Sequence, residues 1–309
     1  MNPAASVKME KAGYKGWPNC YRVSNGVAEL IVTSDIGPRI MRYGFVGGQN
    51  FFKEFEAQLG KSGEKDWQIR GGHRLWMAPE DRILTYAPDN QPAEVRIEGE
   101  WLEATGPVEE LTGLEKRIAV RMAAQGAGVE VLHSLRNAGQ QTLEVATWAL
   151  SIMAPGGTGV HGFPPRGTHP EILAPTNPLV MWAFTDLTDP RWQFTPKYLI
   201  LKQEAARRSP QKLGTWNAHT WAAYLLNGQA FIKRYEAPGE PGPYPDYGCS
   251  YETFTNGDFL ELETLGPIQP LAPGATITHL ERWSLHANVS VPALTDGEID
   301  RVLLPLVAQ

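Results

Sequence analysis

The chain has 309 residues, of which 42% are hydrophobic and 20% are charged, and its formal net charge at pH 7 is −6. This composition supports a large hydrophobic core and argues against a disordered chain. The acidic balance, with no run of five basic residues, argues against nucleic acid as a partner, because phosphate backbones are bound by basic surfaces.

The N-terminal sequence and the cysteines bear on the cellular location of the protein. The two cysteines, Cys20 and Cys249, are too few for a disulfide framework, and neither lies in a C-x-x-C pair. The sequence MNPAASVKMEKAGYKGW at the start lacks the apolar segment of a secretory signal. No stretch of 18 apolar residues that could cross a membrane is present. These features predict a cytoplasmic protein without a membrane partner.

Glycine (31 residues) and proline (25 residues) are scattered between short runs of β-branched and aromatic residues, which is typical of an all-β protein. Strands are predicted near 27–33 and 38–45, with a bend at Gly37-Pro38. A meander of strands is predicted from about 94 to 154. The segment 155–178 contains many glycines and prolines and is predicted to be a loop.

Strands resume after this loop, in the segments LVMWAFTD, KYLILKQ, TWAAYLLN, QAFIKRYEA, CSYETFTN, FLELETL and TITHLERWSL. One helix is predicted near the C-terminus, where Thr295 or Asp296 can cap the segment GEIDRVLLPLV. Many short strands without alternating helices exclude a parallel βαβ fold, and no repeat indicates a propeller. The sequence therefore predicts a single domain over 1–309, with an N-terminal extension at 1–20. Its fold class is all-β, a large antiparallel sandwich with one short C-terminal helix.

The segment IRGGHRLWMAPE (69–80) is the first candidate site. His73, Arg74 and Trp76 follow two glycines, which allow a sharp bend or the close approach of a ligand. A sugar ring stacks on an aromatic face, arginine holds hydroxyl groups, and histidine transfers a proton. The alternative is a strand end whose histidine is satisfied by a backbone carbonyl.

Two other segments carry candidate polar residues. The predicted loop GVHGFPPRGTHP (159–170) carries His161, and loops on a rigid scaffold often carry function. The segment PYPDYGCSYETFTNG (243–257) holds Asp246 and Glu252. Asp246 lies in a rigid turn, where it either caps the turn or contacts a ligand.

The strand FLELETL (259–265) places Glu261 and Glu263 on the face opposite Leu260 and Leu262. The leucine face is predicted to be the core face, so the glutamates face either solvent or a lined cavity. In an apolar or charge-rich cavity the pKa of a carboxyl group rises, which suits a general base near neutral pH. The alternative is an ordinary outer face, on which the glutamates pair across strands.

Two segments resemble the galactose mutarotase-like (aldose 1-epimerase-like) superfamily. AELIVTSDIGPRIMRYGFVGGQNFF resembles its opening hairpin, and YETFTNGDFLELETLGPIQPLAPGATITHLERWSL resembles its closing signature. The resemblance is closer to the uncharacterised bacterial branch of that superfamily than to the galactose enzymes. It implies a β-supersandwich that interconverts the anomers of a free or modified sugar, with no metal or organic cofactor.

The resemblance also implies roles for individual residues. Glu263 falls at the position of the general base that takes the proton of the C1 hydroxyl, and His73 and His161 fall at the positions of the catalytic histidines. Arg39, Arg74, Trp76, Asp246 and Glu261 are implied to line the pocket of a small-molecule carbohydrate. The histidine protonates the ring oxygen, so that the ring opens and recloses as the other anomer.

Two other functions are compatible with these residues. The first is a carbohydrate-binding protein of the same fold without turnover. The second is a sugar-directed hydrolase or lyase. A hydrolase places two carboxylates on either side of the scissile bond, whereas Glu261 and Glu263 lie about 7 Å apart on one side of a single strand. The identity of the sugar, its charge and the oligomeric state are left open.

Overall fold

Two antiparallel β-sheets form the framework of the structure, a computed structural model that describes residues 6–164 and 166–308. The strands, in chain order, are β1 (Lys8–Tyr14), β2 (Trp17–Ser24), β3 (Ala28–Thr33), β4 (Arg39–Phe45), β5 (His73–Ala78), β6 (Glu94–Glu98), β7 (Trp101–Thr105), β8 (Leu114–Met122), β9 (Val129–Asn137), β10 (Leu143–Met153), β11 (Thr158–Gly162), β12 (Leu179–Met181), β13 (Trp192–Phe194), β14 (Tyr198–Lys202), β15 (Gln211–Thr215), β16 (Trp221–Leu226), β17 (Gln229–Tyr235), β18 (Tyr251–Thr255), β19 (Leu260–Leu265), β20 (Gln269–Leu271) and β21 (Thr276–Ala287). The helical segments are a 3₁₀ helix (Glu56–Gln58), α1 (Pro245–Gly248), α2 (Asp296–Val302) and α3 (Leu304–Val307).

The first sheet has the strand order β1-β2-β3-β4-β5-β10-β19-β18-β15-β12, and β20 pairs with β10 beside this path. The second sheet has the order β13-β14-β11-β16-β17-β21-β9-β8-β7-β6. Every strand pair is antiparallel, and β19 lies in the middle of the first sheet between β10 and β18. The predicted all-β sandwich is thus confirmed.

The main hydrophobic core lies between the two sheets. Leu30 and Leu262 project into it from the first sheet, and Ile118 and Phe231 project from the second. Burying an aliphatic or aromatic side chain of this size stabilises the fold by about 1.5–3 kcal/mol. Alternate residues of each strand therefore face the core, and their neighbours face outward.

The outer faces of the two sheets are covered differently. Ile299 of α2 and the following Leu303 pack on Val160 and Ile232 of the second sheet, so the C-terminal helices cover that face. The outer face of the first sheet carries a separate cluster of large side chains around Trp76, Trp148 and Leu265. Within the described residues, no helix is both long and apolar enough to span a membrane.

The predicted C-terminal helix is confirmed as two short helices. The hydroxyl of Thr295 accepts a hydrogen bond from the Glu298 amide and caps α2, as expected from the sequence. The helix is interrupted at Leu303 because Pro305, in the first turn of α3, has no amide hydrogen to donate.

The prediction of a continuous loop over 155–178 is wrong at its beginning, where β11 forms. This strand pairs with β14 on one side and β16 on the other, so its backbone groups are satisfied despite its glycine-rich sequence. Gly159 faces the first sheet, where a Cβ atom would lie 3.3 Å from a Leu260 methyl group. His161 consequently lies in a strand rather than a loop.

The segment predicted as an N-terminal extension contributes two strands. β1 and the first four residues of β2 lie within this segment; β1 is the edge strand of the first sheet and pairs with β2, which pairs with β3. Residues 1–5 lie outside the described part of the chain.

Candidate functional site

A row of cross-strand neighbours runs over the outer face of the first sheet. In order across the strands, the row consists of Arg74, Leu150, Glu263, Glu252 and Gly214. Side chains of directly paired residues lie on the same face of a sheet. Lys212 lies two residues before Gly214 on β15, and Glu261 lies two residues before Glu263 on β19, so both share this face. With the row they form what we call the outer cluster, whose charged members are Arg74, Lys212, Glu252, Glu261 and Glu263.

Lys212 is at the centre of the outer cluster. Its Nζ atom lies 2.7 Å from Glu252 Oε2 and 3.0 Å from Glu263 Oε2. The Trp148 and Trp182 rings lie on the ammonium, with their centroids 4.9 and 4.6 Å away. Burial lowers the pKa of Lys212, but the two carboxylates outweigh this effect and raise the pKa above its ordinary value. Lys212 is therefore a permanent cation that contacts two carboxyl groups.

Gly214 and Trp148 make this arrangement of Lys212 and Glu263 possible. Gly214 allows Trp182 to approach, because a Cβ atom there would lie 2.5 Å from Cys249 Sγ and 3.2 Å from the Trp182 ring. Trp148, which pairs with Leu265 of β19, donates its indole N–H to Glu263 Oε2 at 3.0 Å. Glu263 Oε2 therefore has two donors, and the side chain is held in one position.

Arg74 and Glu261 form the second part of the outer cluster. Arg74 Nη2 donates to Glu261 Oε1 at 3.3 Å, and the guanidinium stacks on the Trp76 ring with its carbon 4.2 Å from the centroid. Burial and the nearby charge of Glu263 raise the pKa of Glu261 to about 7. Glu261 therefore exchanges its proton near neutral pH, as an efficient general acid or base does.

Several buried atoms of the outer cluster have no hydrogen-bond partner within the described protein. These atoms are Glu263 Oε1, Glu252 Oε1, and Arg74 Nε and Nη1. Most buried polar atoms in folded proteins are hydrogen-bonded, so this concentration of free acceptors and donors is typical of a ligand site. Burial and the charge of Glu263 also raise the pKa of Glu252 well above its ordinary value, despite the opposing effect of Lys212. Glu261 and Lys212, at 8% and 6% exposed, are the members nearest to solvent.

Arg39 was predicted to bind substrate, but its guanidinium is used within the protein. Arg39 is fully buried, and its Nη1 atom donates to the Ile69 and Gly71 carbonyl oxygens at 2.7 and 2.8 Å. Its Nη2 atom pairs with Asp89 at 2.5 Å. Arg39 therefore links the loop that contains Ile69 and Gly71 and the loop that contains Asp89 to the start of β4.

His73 and His161 do not lie in the outer cluster. His73 precedes Arg74 in β5, so strand alternation directs it into the space between the sheets, away from Glu263. His161 belongs to the second sheet, and its ring packs on Tyr251 with the centroids 4.4 Å apart. Burial lowers the pKa of both histidines, that of His161 to about 3, so both are neutral at pH 7. The structure does not bring either of them together with the predicted base.

The remaining predicted residues border the outer cluster. Trp76 packs on Trp148, with ring centroids 5.4 Å apart, and forms its apolar wall. Asp246 lies in α1, a single turn in which Asp246 and Tyr247 adopt left-handed backbone angles. The Asp246 carboxylate contributes to the raised pKa of Glu252, which places the two charges near each other.

A second polar group lies between the sheets. We call it the inner network, and its members are His73, His133, Ser151, Lys233, Thr264, His279 and Glu281. His73, His133 and Glu281 offer ligand atoms within 4.8 Å of one another, as in a metal site. The Glu281 carboxylate already accepts hydrogen bonds from Thr264 and Trp283, and the Lys233 ammonium lies 2.9 Å from it. A metal ion bound to Glu281 would be repelled by that ammonium. The contacts therefore fit a hydrogen-bond network better than a metal site.

The sequence interpretation missed Lys212. It lies in the short strand QKLGT (β15), where nothing in the sequence distinguishes it from a surface lysine. Glu252 was noted only as a neighbour of Asp246. Its register opposite Glu263 could have been inferred from the β18–β19 hairpin, in which NGD forms the turn.

No family model matches the chain, and no curated protein matches its sequence. Solved structures match its fold. A putative aldose 1-epimerase from Klebsiella pneumoniae superposes with a TM-score of 0.60 at 10% identity, covering 98% of this chain and 87% of the other. The Slr1438 protein of Synechocystis superposes with a TM-score of 0.58 at 12% identity, covering 90% of this chain and 100% of the other. A putative aldose 1-epimerase from Escherichia coli K12 superposes with a TM-score of 0.54 at 15% identity, covering 87% of this chain and 99% of the other.

These likenesses show the fold alone. The predicted resemblance to the galactose mutarotase-like superfamily is thereby confirmed at the level of the fold.

The position of Arg39 leads to a prediction about stability. We expect Arg39→Ala to lower the free energy of unfolding by about 3 kcal/mol, because it leaves Asp89, whose side chain is only 14% exposed, without its closest partner. Urea denaturation at pH 7 measures the change. The matched control is Arg96→Ala, which breaks an exposed pair with Glu94 and should cause no measurable change. Equal stability of the two variants would contradict the anchoring role of Arg39.

Proposed function

We propose that this protein is an aldose 1-epimerase-like enzyme that binds a sugar at the outer cluster and interconverts its anomers. The observation that carries this proposal is the pair of carboxylates on β19, one with a free oxygen and one with a pKa of about 7. The fold shared with aldose 1-epimerase-like proteins supports it. Glu263 is the proposed general base, and Glu261 is the proposed general acid.

The two carboxylates divide the proton transfers between them. Glu263 Oε1 takes the proton of the C1 hydroxyl, while Glu261 gives its proton to the ring oxygen. The bond between C1 and the ring oxygen breaks, and the open-chain aldehyde forms. Rotation about the C1–C2 bond and the reverse transfers then close the ring as the other anomer. No proton is gained or lost overall, and each positioned group contributes roughly 10²–10⁴-fold.

Glu261 takes the role that the resemblance implied for a histidine. His73 and His161 lie between the sheets, whereas Glu261 and Glu263 share the outer face of β19 about 7 Å apart. The two oxygen atoms of the reacting sugar are bonded to the same carbon, so carboxylates at this spacing can contact both. Trp76 packs on the Arg74 guanidinium, and Arg74 has free N–H groups for hydroxyl oxygens.

A sugar-binding protein without turnover would use the same contacts. It would not need a carboxyl group that titrates near pH 7, and that feature favours the enzyme. The first test therefore asks whether Glu263 is needed for turnover.

We expect Glu263→Gln to keep the fold and to reduce anomer exchange by roughly 10²–10⁴-fold, because the amide cannot accept the C1 proton. Exchange between α and β anomers is measured by NMR on a panel of hexoses and pentoses. The control is Glu144→Gln, which removes an exposed carboxylate from β10 and should leave the rate unchanged. If Glu263→Gln exchanges anomers as fast as the wild type, Glu263 is not the base.

The raised pKa of Glu261 predicts a loss of activity in alkaline solution. The active form requires a protonated Glu261, so kcat/KM should fall as the pH rises through about 7, approaching tenfold per pH unit. Glu261→Gln should be slow and should lack this limb of the pH profile. Glu252→Gln should retain the limb, which distinguishes Glu261 from the neighbouring carboxyl group. A limb that survives in Glu261→Gln would assign the acid to another residue.

The charges of the outer cluster predict which sugars are accepted. Arg74 and Lys212, the two basic side chains of the outer cluster, both already contact glutamates, so neither is free to pair with an anionic group. We expect kcat/KM for neutral aldoses to exceed that for sugar phosphates and uronic acids by about tenfold or more, because an anionic group would enter the site without a cation of its own. A preference for sugar phosphates in the same NMR panel would contradict this charge argument without removing the enzyme activity.

A further inference from the structure

The inner network touches β19 directly behind the proposed base. Lys233 of β17 donates to the backbone carbonyl of Leu262 at 3.2 Å, and Leu262 immediately precedes Glu263. Thr264 immediately follows Glu263, and its hydroxyl donates to Glu281 Oε1. The residues on both sides of Glu263 are thus held by Lys233 and Glu281, which form an ion pair at 2.9 Å.

The hydrogen bonds of the inner network form a consistent chain. His133 Nδ1 donates to the His279 carbonyl, so His133 Nε2 accepts a hydrogen bond from the N–H of His73 Nε2 at 2.7 Å. His73 Nδ1 then accepts from the Ser151 hydroxyl at 2.8 Å. His73 and His133 are therefore neutral. The chain of hydrogen bonds reaches Ser151 of β10, the strand that pairs with β19.

The Lys233–Glu281 pair is expensive to bury. Both side chains are fully buried, and the desolvation of such a pair often exceeds the attraction between its members. Hydrophobic residues of similar size at the two positions would often give an equally stable core. Stability alone therefore gives no reason for this ion pair.

Lys233 is also coupled to the outer cluster through the sheet. Burial lowers the pKa of Lys233, and the carboxylate of Glu281 and, more weakly, that of Glu263 oppose this decrease. Glu263 lies on the opposite face of β19, so the lysine charge acts on both faces of the strand.

We propose that Lys233 and Glu281 are positioning residues that fix Glu263 in the outer cluster. They do so by hydrogen-bonding Leu262 and Thr264 of β19 from its inner face. This inference rests on the proposed function for its catalytic consequence. The position of Glu263 itself can be observed without turnover, because Glu263 Oε2 accepts the indole N–H of Trp148 at 3.0 Å. The NMR resonance of that N–H reports directly on the carboxylate.

The test uses the double variant Lys233→Met/Glu281→Gln, which removes both charges together and leaves no unpaired ion. We expect the Trp148 indole resonance to move toward its position in Glu263→Gln, and kcat to fall by roughly tenfold or more with little change in KM. The matched control is Lys116→Met/Glu109→Gln, which removes another buried ion pair, at 2.6 Å, outside the first sheet. The control should change neither the resonance nor kcat in the folded protein.

Thr264→Val provides a second variant, because it removes only the hydroxyl that links β19 to Glu281. It should shift the Trp148 resonance in the same direction, even if the double variant does not fold. An unchanged Trp148 resonance in a folded variant of either kind overturns the inference, whether or not the protein acts on a sugar. If the wild type exchanges no anomers but the resonance shifts, the proposed function fails and the positioning role stands.

Discussion

The burial of charged side chains on the outer face of the first sheet constrains the rest of the site. A carboxylate removed from water is stable only if a cation or several donors replace its hydration. Lys212 contacts the carboxyl groups of Glu252 and Glu263, and Arg74 contacts that of Glu261. Aromatic rings cover both cations, so that water is displaced while the charges stay paired. Each cation of the outer cluster already contacts a carboxyl group, so no cation is left to pair with the remaining carboxyl oxygen atoms. Those atoms are then available to a ligand.

Strand β19 connects this outer face to the core. Its leucines fill the space between the sheets, its glutamates build the outer cluster, and its threonine joins the inner network. One strand therefore meets three different environments, and its register must be fixed with little tolerance, because a slip of one residue would exchange the leucine and glutamate faces. The β10 and β18 pairings set this register along the whole strand. The polar contacts of Lys233 and Glu281 act on the same strand at Leu262 and Thr264.

The parts of the structure that could be predicted from the sequence are those that depend on local pattern. The alternation in FLELETL predicted that Glu261 and Glu263 share a face, and the bend at Gly37-Pro38 was predicted where β3 and β4 separate. The same alternation applied to HRLWMA would have separated His73 from Arg74 and Trp76, but the glycines before it favoured a bend. Lys212 could not be found in this way, since it reaches Glu263 only through the pairing of β15 with β18 and of β18 with β19. The strand β11 was hidden for the same reason, because its partners follow it by tens of residues.

The choice of a carboxyl group over a histidine as the proposed acid follows from a single physical effect. Burial disfavours the charged form of any side chain, so it raises the pKa of a carboxylic acid and lowers the pKa of an imidazole. In this protein burial, with the charge of Glu263, brings the pKa of Glu261 to about 7, and burial takes the pKa of His161 and of His279 to about 3. The buried glutamate thus carries a proton that it can give near neutral pH, whereas the buried histidines carry none to give. In a site this dry, an acid–base pair that works near neutral pH is built more readily from two carboxyl groups in unequal surroundings than from a glutamate and a histidine.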